Sequence, residues 1–527
     1  MTIYLTNARV HTLDARAPFA DTIAIRAGRI SAIGQAADIL PATGRAEIED
    51  LGGKTVIPGL CDAHIHLLQY GLSLARVDCE TINRGACLDR LRQRAESARP
   101  GEWVAGHGWN HNVWPEGAGS KEDLDEIFPR NPVYLTHKSL HSAWVNSAAL
   151  QSAGINAQTP DPTDGRIERD ARGEPTGILF ESVMRLVEAI LPPPTAQQRK
   201  NALLASQQSL LEMGITRVHD FDAWECYQTL AELDEAGLLK LRAVKNIPAS
   251  HLDKAIAHGL RSGSGSTNIK IGWLKLFADG ALGPQTAAML EPYEGSDSRG
   301  MLFLESRQIV ETGKKALAAG ISPAIHAIGD RANREVLDGY EVLAAQGYLG
   351  NARLRPRIEH VQLITPADMA RLATLGVVAS MQPIHAVSDM RMADLHWGAR
   401  CKYAYAWQSL KQAGARIIFG SDSPVESPNP FLGVHAAVTR QSRGDMNHHS
   451  PWHPQERLTL VEALRAYATR LTDLGATSSE PSGLTPGAWA DLCLLPCDIF
   501  KEEPDALVDK RSEAVMVAGN WVHQSTS

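Results

Sequence analysis

The chain has 527 residues, 44% hydrophobic and 21% charged, which is typical of a globular protein of three to four domains at about 150 residues each. Its 52 basic and 60 acidic residues give a formal charge of −8, which argues against binding to nucleic acid or to an acidic membrane surface. The sequence has no long apolar run, no secretory leader pattern and no disulfide pattern among its seven cysteines. We therefore expect a cytoplasmic protein with neither nucleic acid nor membrane as a partner.

Strand patterns occur at both ends of the chain. Runs of β-branched and apolar residues between turn residues predict strands at Ile3–Val10, Thr22–Arg26, Ile30–Ile33, Asp491–Leu495 and Ala514–Val517. We predict that residues 1–55 and 481–527 form one small β-sandwich domain together. Two independent decorations at the chain ends are the alternative.

The middle of the chain alternates short apolar strands with helical stretches, a pattern typical of parallel βα units. Eight strands are predicted, at Thr55–His66, Ile215–Phe221, Leu241–Ile247, Ile269–Phe277, Ile321–Ile328, Arg355–Leu363, Gly376–Gln382 and Ala415–Gly420. Eight such units indicate an α/β fold with a (β/α)₈ TIM barrel over residues 56–480. The competing interpretation, an open doubly wound sheet, lacks a Gly-x-Gly-x-x-Gly turn after a strand.

The first two barrel strands are separated by far more residues than a single connection needs. We therefore predict a large insert after barrel strand 1, a subdomain at about residues 77–194. Its tryptophans form either a small core of their own or an apolar lid over a substrate; they are Trp103, Trp109, Trp114 and Trp144.

Ionisable residues follow several predicted barrel strands at their carboxyl ends, where barrel enzymes have their active sites. The first strand ends in His64 and His66, and the alternation of a strand directs both side chains to one face. The fourth, fifth, sixth and eighth strands supply Lys275, His326, His360 and Asp422. Imidazole and carboxylate groups converging on one cavity suit a divalent cation, zinc first. The pattern predicts a metal site, although each residue alone also has a structural explanation.

Several segments carry a resemblance to a known family. They read Val56-Ile-Pro-Gly-Leu-Cys-Asp-Ala-His-Ile-His66, Gly214-Ile-Thr-Arg-Val-His-Asp220, Lys275-Leu-Phe-Ala-Asp-Gly280, His326-Ala-Ile-Gly-Asp-Arg331, Ile358-Glu-His360 and Gly420-Ser-Asp-Ser-Pro424. In these segments the chain resembles the amidohydrolase superfamily, and within it amidohydrolase family 3, the YtcJ-like branch that includes N-substituted formamide deformylases. Segments 108–117, 141–147 and 483–492 extend the resemblance over nearly the whole chain.

The resemblance implies a metal centre of one or two ions. His64, His66 and Asp422 would bind the more buried metal, and His326 and His360 would bind a second. Lys275 would bridge them as an N-carboxylated lysine, a modification that desolvation of a buried amine favours. If Lys275 is not carboxylated, a mononuclear site of His64, His66, His326 and Asp422 is the alternative.

The resemblance also implies a reaction. Asp422 would take the proton of the attacking water and deliver it to the leaving amine. The donor to the developing oxyanion would be His326, His360 or, from the insert, His141. We therefore expect a metal-dependent hydrolase of carbon–nitrogen bonds other than peptide bonds, acting on a small linear amide such as an N-substituted formamide.

Two alternatives stay open at this point. One is a hydrolase of cyclic amides or esters, or a deaminase, on the same scaffold. The other is a catalytically silent binding relative that has kept only the fold, although all six predicted ligand positions are intact. The resemblance further suggests a homodimer.

Overall fold

The computed structural model describes residues 1–41, 47–111, 114–137, 142–162, 165–442, 450–475 and 483–525. Its strands in chain order are β1 (Thr2–Thr6), β2 (Arg9–His11), β3 (Phe19–Ala20), β4 (Thr22–Arg26), β5 (Arg29–Gly34), β6 (Glu47–Asp50), β7 (Thr55–Pro58), β8 (Leu60–Ile65), β9 (Val77–Asp78), β10 (Val104–Trp109), β11 (Val133–His137), β12 (Ser142–Val145), β13 (Gly165–Arg169), β14 (Pro175–Glu181), β15 (Ile215–Asp220), β16 (Arg242–Pro248), β17 (Ile269–Phe277), β18 (Pro323–Ala327), β19 (Arg357–His360), β20 (Val378–Met381), β21 (Arg416–Phe419), β22 (Leu492–Leu495), β23 (Ala514–Val517) and β24 (Asn520–Gln524).

The α-helices lie between these strands. They are α1 (Ala36–Ile39), α2 (Leu67–Leu74), α3 (Arg84–Ala95), α4 (Lys121–Ile127), α5 (Ser147–Ser152), α6 (Met184–Glu188), α7 (Ala196–Glu212), α8 (Trp224–Glu235), α9 (Leu252–Ala257), α10 (Ser306–Ala318), α11 (Asp330–Ala345), α12 (Pro366–Leu375), α13 (Pro383–Trp397), α14 (Trp407–Gln412), α15 (Pro430–Thr439) and α16 (Leu460–Tyr467). In the described part of the chain, every helix is too short or too polar to cross a membrane.

A parallel barrel lies in the larger of two compact units, which comprises residues 1–70 and 203–527. Its eight strands, β8 and β15 to β21, are hydrogen-bonded in sequence order. The barrel closes where the backbone N–H of Asp422 donates to the carbonyl of His64 at 2.7 Å and that of His66 donates to Ser423 at 2.9 Å. The predicted (β/α)₈ barrel is confirmed, and each of the eight predicted strands overlaps a barrel strand.

The first predicted strand, Thr55–His66, was wrong in one respect, because the chain changes sheets at Gly59. β7 pairs with β2 and β22, whereas β8 pairs with β15 in the barrel. A Cβ at Gly59 would lie 2.4 Å from side-chain atoms of Thr216, so only glycine allows the two backbones to approach this closely.

The two ends of the chain form two sheets over one core, as the predicted β-sandwich required. One sheet has the order β5-β4-β1-β6, and the other has the order β24-β23-β22-β7-β2-β3. Because β7 and β22 pair directly, the two termini share a sheet and are not independent decorations. Leu5 and Ile23 from the first sheet and Val56 and Leu492 from the second lie in the same buried cluster.

The second compact unit comprises residues 71–202, and the predicted insert at 77–194 lies within it. Its sheet has the order β13-β14-β12-β11-β10-β9. Trp109, Trp114 and Trp144 are 0 to 4% exposed, with ring centroids 6.1 to 6.2 Å apart. These three tryptophans therefore form a core of the unit itself, the first of the two sequence alternatives.

Candidate metal centre

Five of the predicted site residues come together at the carboxyl ends of the barrel strands. The Oδ1 atom of Asp422 lies 3.5 Å from Nε2 of His64 and 3.4 Å from Nε2 of His66. The ring of His360 has its centroid 5.0 Å from that of His64 and 4.6 Å from that of His326. These residues lie close together because they are at, or within three residues after, the carboxyl ends of β8, β18, β19 and β21, which are neighbours or near neighbours around the barrel.

Each of the four imidazoles has one ring nitrogen held by an acceptor away from the centre. The Nδ1 atom of His64 lies 2.7 Å from Oε2 of Glu359, and the Nδ1 atom of His360 lies 2.8 Å from Oε1 of Gln382. The other acceptors are the Gly280 carbonyl, 2.9 Å from Nε2 of His326, and Asp222 Oδ1, 3.4 Å from Nδ1 of His66. Metal-binding histidines have such partners, which fix the tautomer and leave the opposite nitrogen for the ion. The donor set therefore fits a divalent cation.

Burial keeps three of these imidazoles in the neutral form that a metal requires. It lowers the pKa of His64 to about 4 and that of His326 to about 3, and the charge of Lys275 adds to both shifts. Burial also lowers the pKa of His360, with help from His326. Burial also acts to lower the pKa of His66. The Asp222 and Asp422 carboxylates outweigh that effect and raise the pKa of His66 to about 9.

Lys275 lies inside the barrel on β17, with only 5% of its surface exposed. Its Nζ atom is 4.7 Å from the ring centroids of both Phe221 and Phe277. Burial lowers the pKa of Lys275 to about 8, although the Glu359 and Asp422 carboxylates oppose that shift. A fraction of the amine is therefore neutral at physiological pH, which is the form that reacts with carbon dioxide.

A buried ion pair lies behind His64. Glu359 and Arg357 are fully buried, with Nε of Arg357 2.8 Å from Oε1 of Glu359. The guanidinium also lies 2.9 Å from Nδ1 of His219 and donates to Oγ of Ser380 at 2.7 Å. Burial alone would raise the pKa of Glu359, but Arg357 and His64 lower it to about 2, so the carboxylate is ionised. His64 therefore contacts a permanent anion on the side away from the centre.

His385 is a residue of this site that sequence reasoning missed. It lies on α13 and is buried, and its Nε2 atom is 3.5 Å from Oδ2 of Asp422. His360, His385 and Asp422 can hold one ion, as can His64, His66 and Asp422, because their ligand atoms lie within 4.8 Å of one another. The Oδ1 atom of Asp422 therefore lies near His64 and His66, and its Oδ2 atom lies near His385. The segment Gln382-Pro-Ile-His385 directly after the seventh barrel strand was the available signal.

A third group of potential metal ligands lies behind His66, but the ammonium group of Lys245 already binds to it. Asp220, Asp222 and Cys226 approach one another closely, but Nζ of Lys245 donates to Asp220 Oδ2 at 2.5 Å and to the Asp222 carbonyl. Asp222 also accepts the backbone N–H of Leu68 at 2.5 Å. This cluster therefore supports the loop that carries His66.

His141, the remaining predicted catalytic residue, lies outside the described residues. Its predicted role as a donor to the oxyanion stays a prediction.

Comparisons with known proteins identify the family of the chain. A family model described as the amidohydrolase family matches residues 47–523. The protein LONG AFTER FAR-RED 3 of Arabidopsis thaliana is 32% identical over 95% of this chain and 88% of its own length. An N-substituted formamide deformylase of Arthrobacter pascens is 29% identical over 94% of this chain and 93% of its own. The crystal structure of an uncharacterized metal-dependent hydrolase from Pyrococcus furiosus matches with a TM-score of 0.77 and 28% identity, over 94% of this chain and 99% of that one. The resemblance predicted from the sequence segments is confirmed.

Proposed function

Because the chain belongs to the amidohydrolase family, we propose that it hydrolyses a carbon–nitrogen bond other than a peptide bond, in a small linear amide of the N-substituted formamide type. The observation that carries the proposal is the cluster of four imidazoles around Asp422, each with its outer nitrogen held by an acceptor. The similarity to an N-substituted formamide deformylase over 94% of this chain supports the substrate class.

We assign the ligands as the sequence predicted them. His64, His66 and Asp422 would hold one cation, and His326 and His360 would hold a second. Lys275 would join the two after its neutral amine adds to carbon dioxide, forming an N–C bond and losing one proton to give a carbamate anion. Its low pKa and its burial among aromatic rings support this assignment.

The reaction then depends on residues already in position. A divalent cation in such a site lowers the pKa of water towards about 7 and so supplies a nucleophile at neutral pH. The Asp422 carboxylate has a pKa below its usual range, because contacts with His385, His64 and His66 outweigh the effect of burial. It is therefore ionised and can accept the proton of the attacking water, then return it to the leaving nitrogen as the C–N bond breaks.

An aromatic side chain beside the centre supports an apolar substituent on the substrate nitrogen. Phe277 is 51% exposed, and its ring centroid lies 5.3 Å from that of His326. An exposed phenyl ring next to a polar centre is an unfavourable surface in water, and an apolar N-substituent would cover it.

The test measures hydrolysis and metal content together. The zinc-loaded enzyme should release formate and amine from an N-alkylformamide, and should act more slowly on the matching acetamide, a lactam and an ester. His64→Asn should lose both bound metal and activity. His258→Asn, which changes an exposed histidine on the same unit, should lose neither. Hydrolysis by metal-free enzyme, or turnover of the lactam or ester alone, would contradict the proposal.

A further inference from the structure

A cavity of ≈ 480 Å³ lies at the opposite end of the barrel from the metal centre. Its lining includes Gly59, Arg217, Arg242 and Lys270, which lie just before, or within the first three residues of, barrel strands β8, β15, β16 and β17. The other wall is residues 483–489, the segment that precedes β22. The metal ligands lie at the carboxyl ends of the strands, so this cavity is separate from the proposed reaction.

The lining has an excess of positive charge. Its cations are Arg29, Arg217, Arg242, Lys270 and Arg470, and its carboxylates are Asp473 and Asp491, so five cations against two carboxylates give the lining a formal charge of +3. Asp491 is shared by two guanidinium groups, with oxygens 3.1 Å from Arg217 and 2.6 Å from Arg242. Within the described ranges, Arg29 and Lys270 have no carboxylate partner; they donate only to the carbonyls of Gly487 and Gly265.

The cavity also offers an apolar surface and neutral polar groups. The Trp489 ring lines it, with the guanidinium of Arg29 3.9 Å and that of Arg242 4.6 Å from the ring centroid. Pro58 and Leu484 add apolar surface, and Thr267 and Asn268 add groups that form hydrogen bonds. A cavity of this volume, lined by both apolar and polar groups, is within the size range typical of a site for a small molecule.

We propose that this cavity binds a small organic anion with an apolar body. Lys270 and Arg29 pair with the anionic group, since both side chains are free of carboxylate partners in the described structure. The apolar body lies against Trp489 and Leu484. The proposal does not depend on the substrate of the metal centre, because the two sites are at opposite ends of the strands.

Calorimetric titration of the metal-loaded protein tests the ligand class. Benzenesulfonate is the probe, because sulfonates are poor metal ligands and bind little at the metal centre. Methyl phenyl sulfone is its uncharged isostere. We expect benzenesulfonate to bind, with an affinity that falls as salt is added, and methyl phenyl sulfone to bind at least about tenfold more weakly. Equal binding of the two probes, or no binding of benzenesulfonate, would overturn the proposal.

Variants locate the binding. Lys270→Gln and Arg29→Gln should each weaken benzenesulfonate binding about tenfold, the loss expected when one charge-assisted hydrogen bond is removed. Lys240→Gln changes an exposed lysine outside the cavity lining and should leave the affinity unchanged. Lys270 is partly exposed, so we expect Lys270→Gln to fold. This variant therefore still tests the proposal if Arg29→Gln does not fold. Affinity unchanged in Lys270→Gln would mean that the probe binds elsewhere, and the proposal would fail.

Discussion

Replacing Glu359 by glutamine should weaken metal binding without removing any proposed ligand. The carboxylate is fully buried, accepts from Nδ1 of His64 at 2.7 Å and pairs with Arg357 at 2.8 Å. Glutamine keeps the shape and one acceptor oxygen but removes the charge that polarises His64. Changes of this kind cost about 10- to 100-fold in metal affinity, or about 1.4 to 2.7 kcal/mol.

The same substitution should also destabilise the fold, because it leaves the Arg357 charge buried without its anion. Breaking a buried pair from one side costs about 3 to 5 kcal/mol. The two effects can be separated with the double variant Arg357→Met, Glu359→Gln, which removes both charges. We expect it to recover part of the stability but none of the metal affinity, since His64 still lacks its anion.

The assay is a titration of the metal-free protein with zinc against a chromogenic chelator, alongside urea unfolding. The matched control is Glu341→Gln, because Glu341 pairs with Arg371 at 2.8 Å but is half exposed. That variant should lose less than about 1 kcal/mol of stability and bind zinc normally. If folded Glu359→Gln bound zinc within a factor of about two of the wild type, well below the expected loss, Glu359 would not be orienting His64.

Three further predictions follow from individual side chains. Lys275→Ala should bind one metal fewer per chain by elemental analysis, and an unchanged count would exclude a carbamate bridge. Asp422→Asn, assayed with saturating metal, should lower kcat by about 10²- to 10⁴-fold, and a near-normal kcat would assign the proton transfer to another group. Asp491→Asn should lose about 3 to 5 kcal/mol in urea unfolding, because Arg217 and Arg242 are both buried against it. Asp89→Asn, at the exposed pair with Arg92, is its control and should lose less than about 1 kcal/mol.

The barrel could be predicted because its strands are buried on both faces and appear in the sequence as continuous apolar runs. The same property explains the error at Gly59. Residues Val56 to Ile65 contain little that distinguishes a sandwich strand from a barrel strand, and both β7 and β8 are fully buried. What separates them is the close approach of Gly59 to Thr216, more than 150 residues further along the chain, which no local pattern records.

That the proposed ligands lie together could be predicted because topology alone brings the ends of parallel strands together. His64, His326 and His360 are the last or next-to-last residues of their strands. Once the strands were recognised, their position at the carboxyl end of the barrel could be predicted. His385 lies inside the first turn of a helix, where no rule about strand ends applies. Its contact with Asp422 depends on the angle at which α13 leaves the barrel, and that angle is set by packing.

The buried residues behind the proposed ligands could not be predicted, for a different reason. Arg357 and Glu359 alternate on β19 and so share one face, which for a barrel strand is the fully buried interior. Charges there are normally too costly, and this pair is tolerated because Ala63, His219 and Ser380 satisfy the remaining guanidinium donors. Well-packed apolar residues of similar volume are often as stable as a buried ion pair, or more so. We therefore expect the main advantage of the ion pair to be that its carboxylate orients and polarises His64. The loss of metal affinity in Glu359→Gln measures that advantage directly.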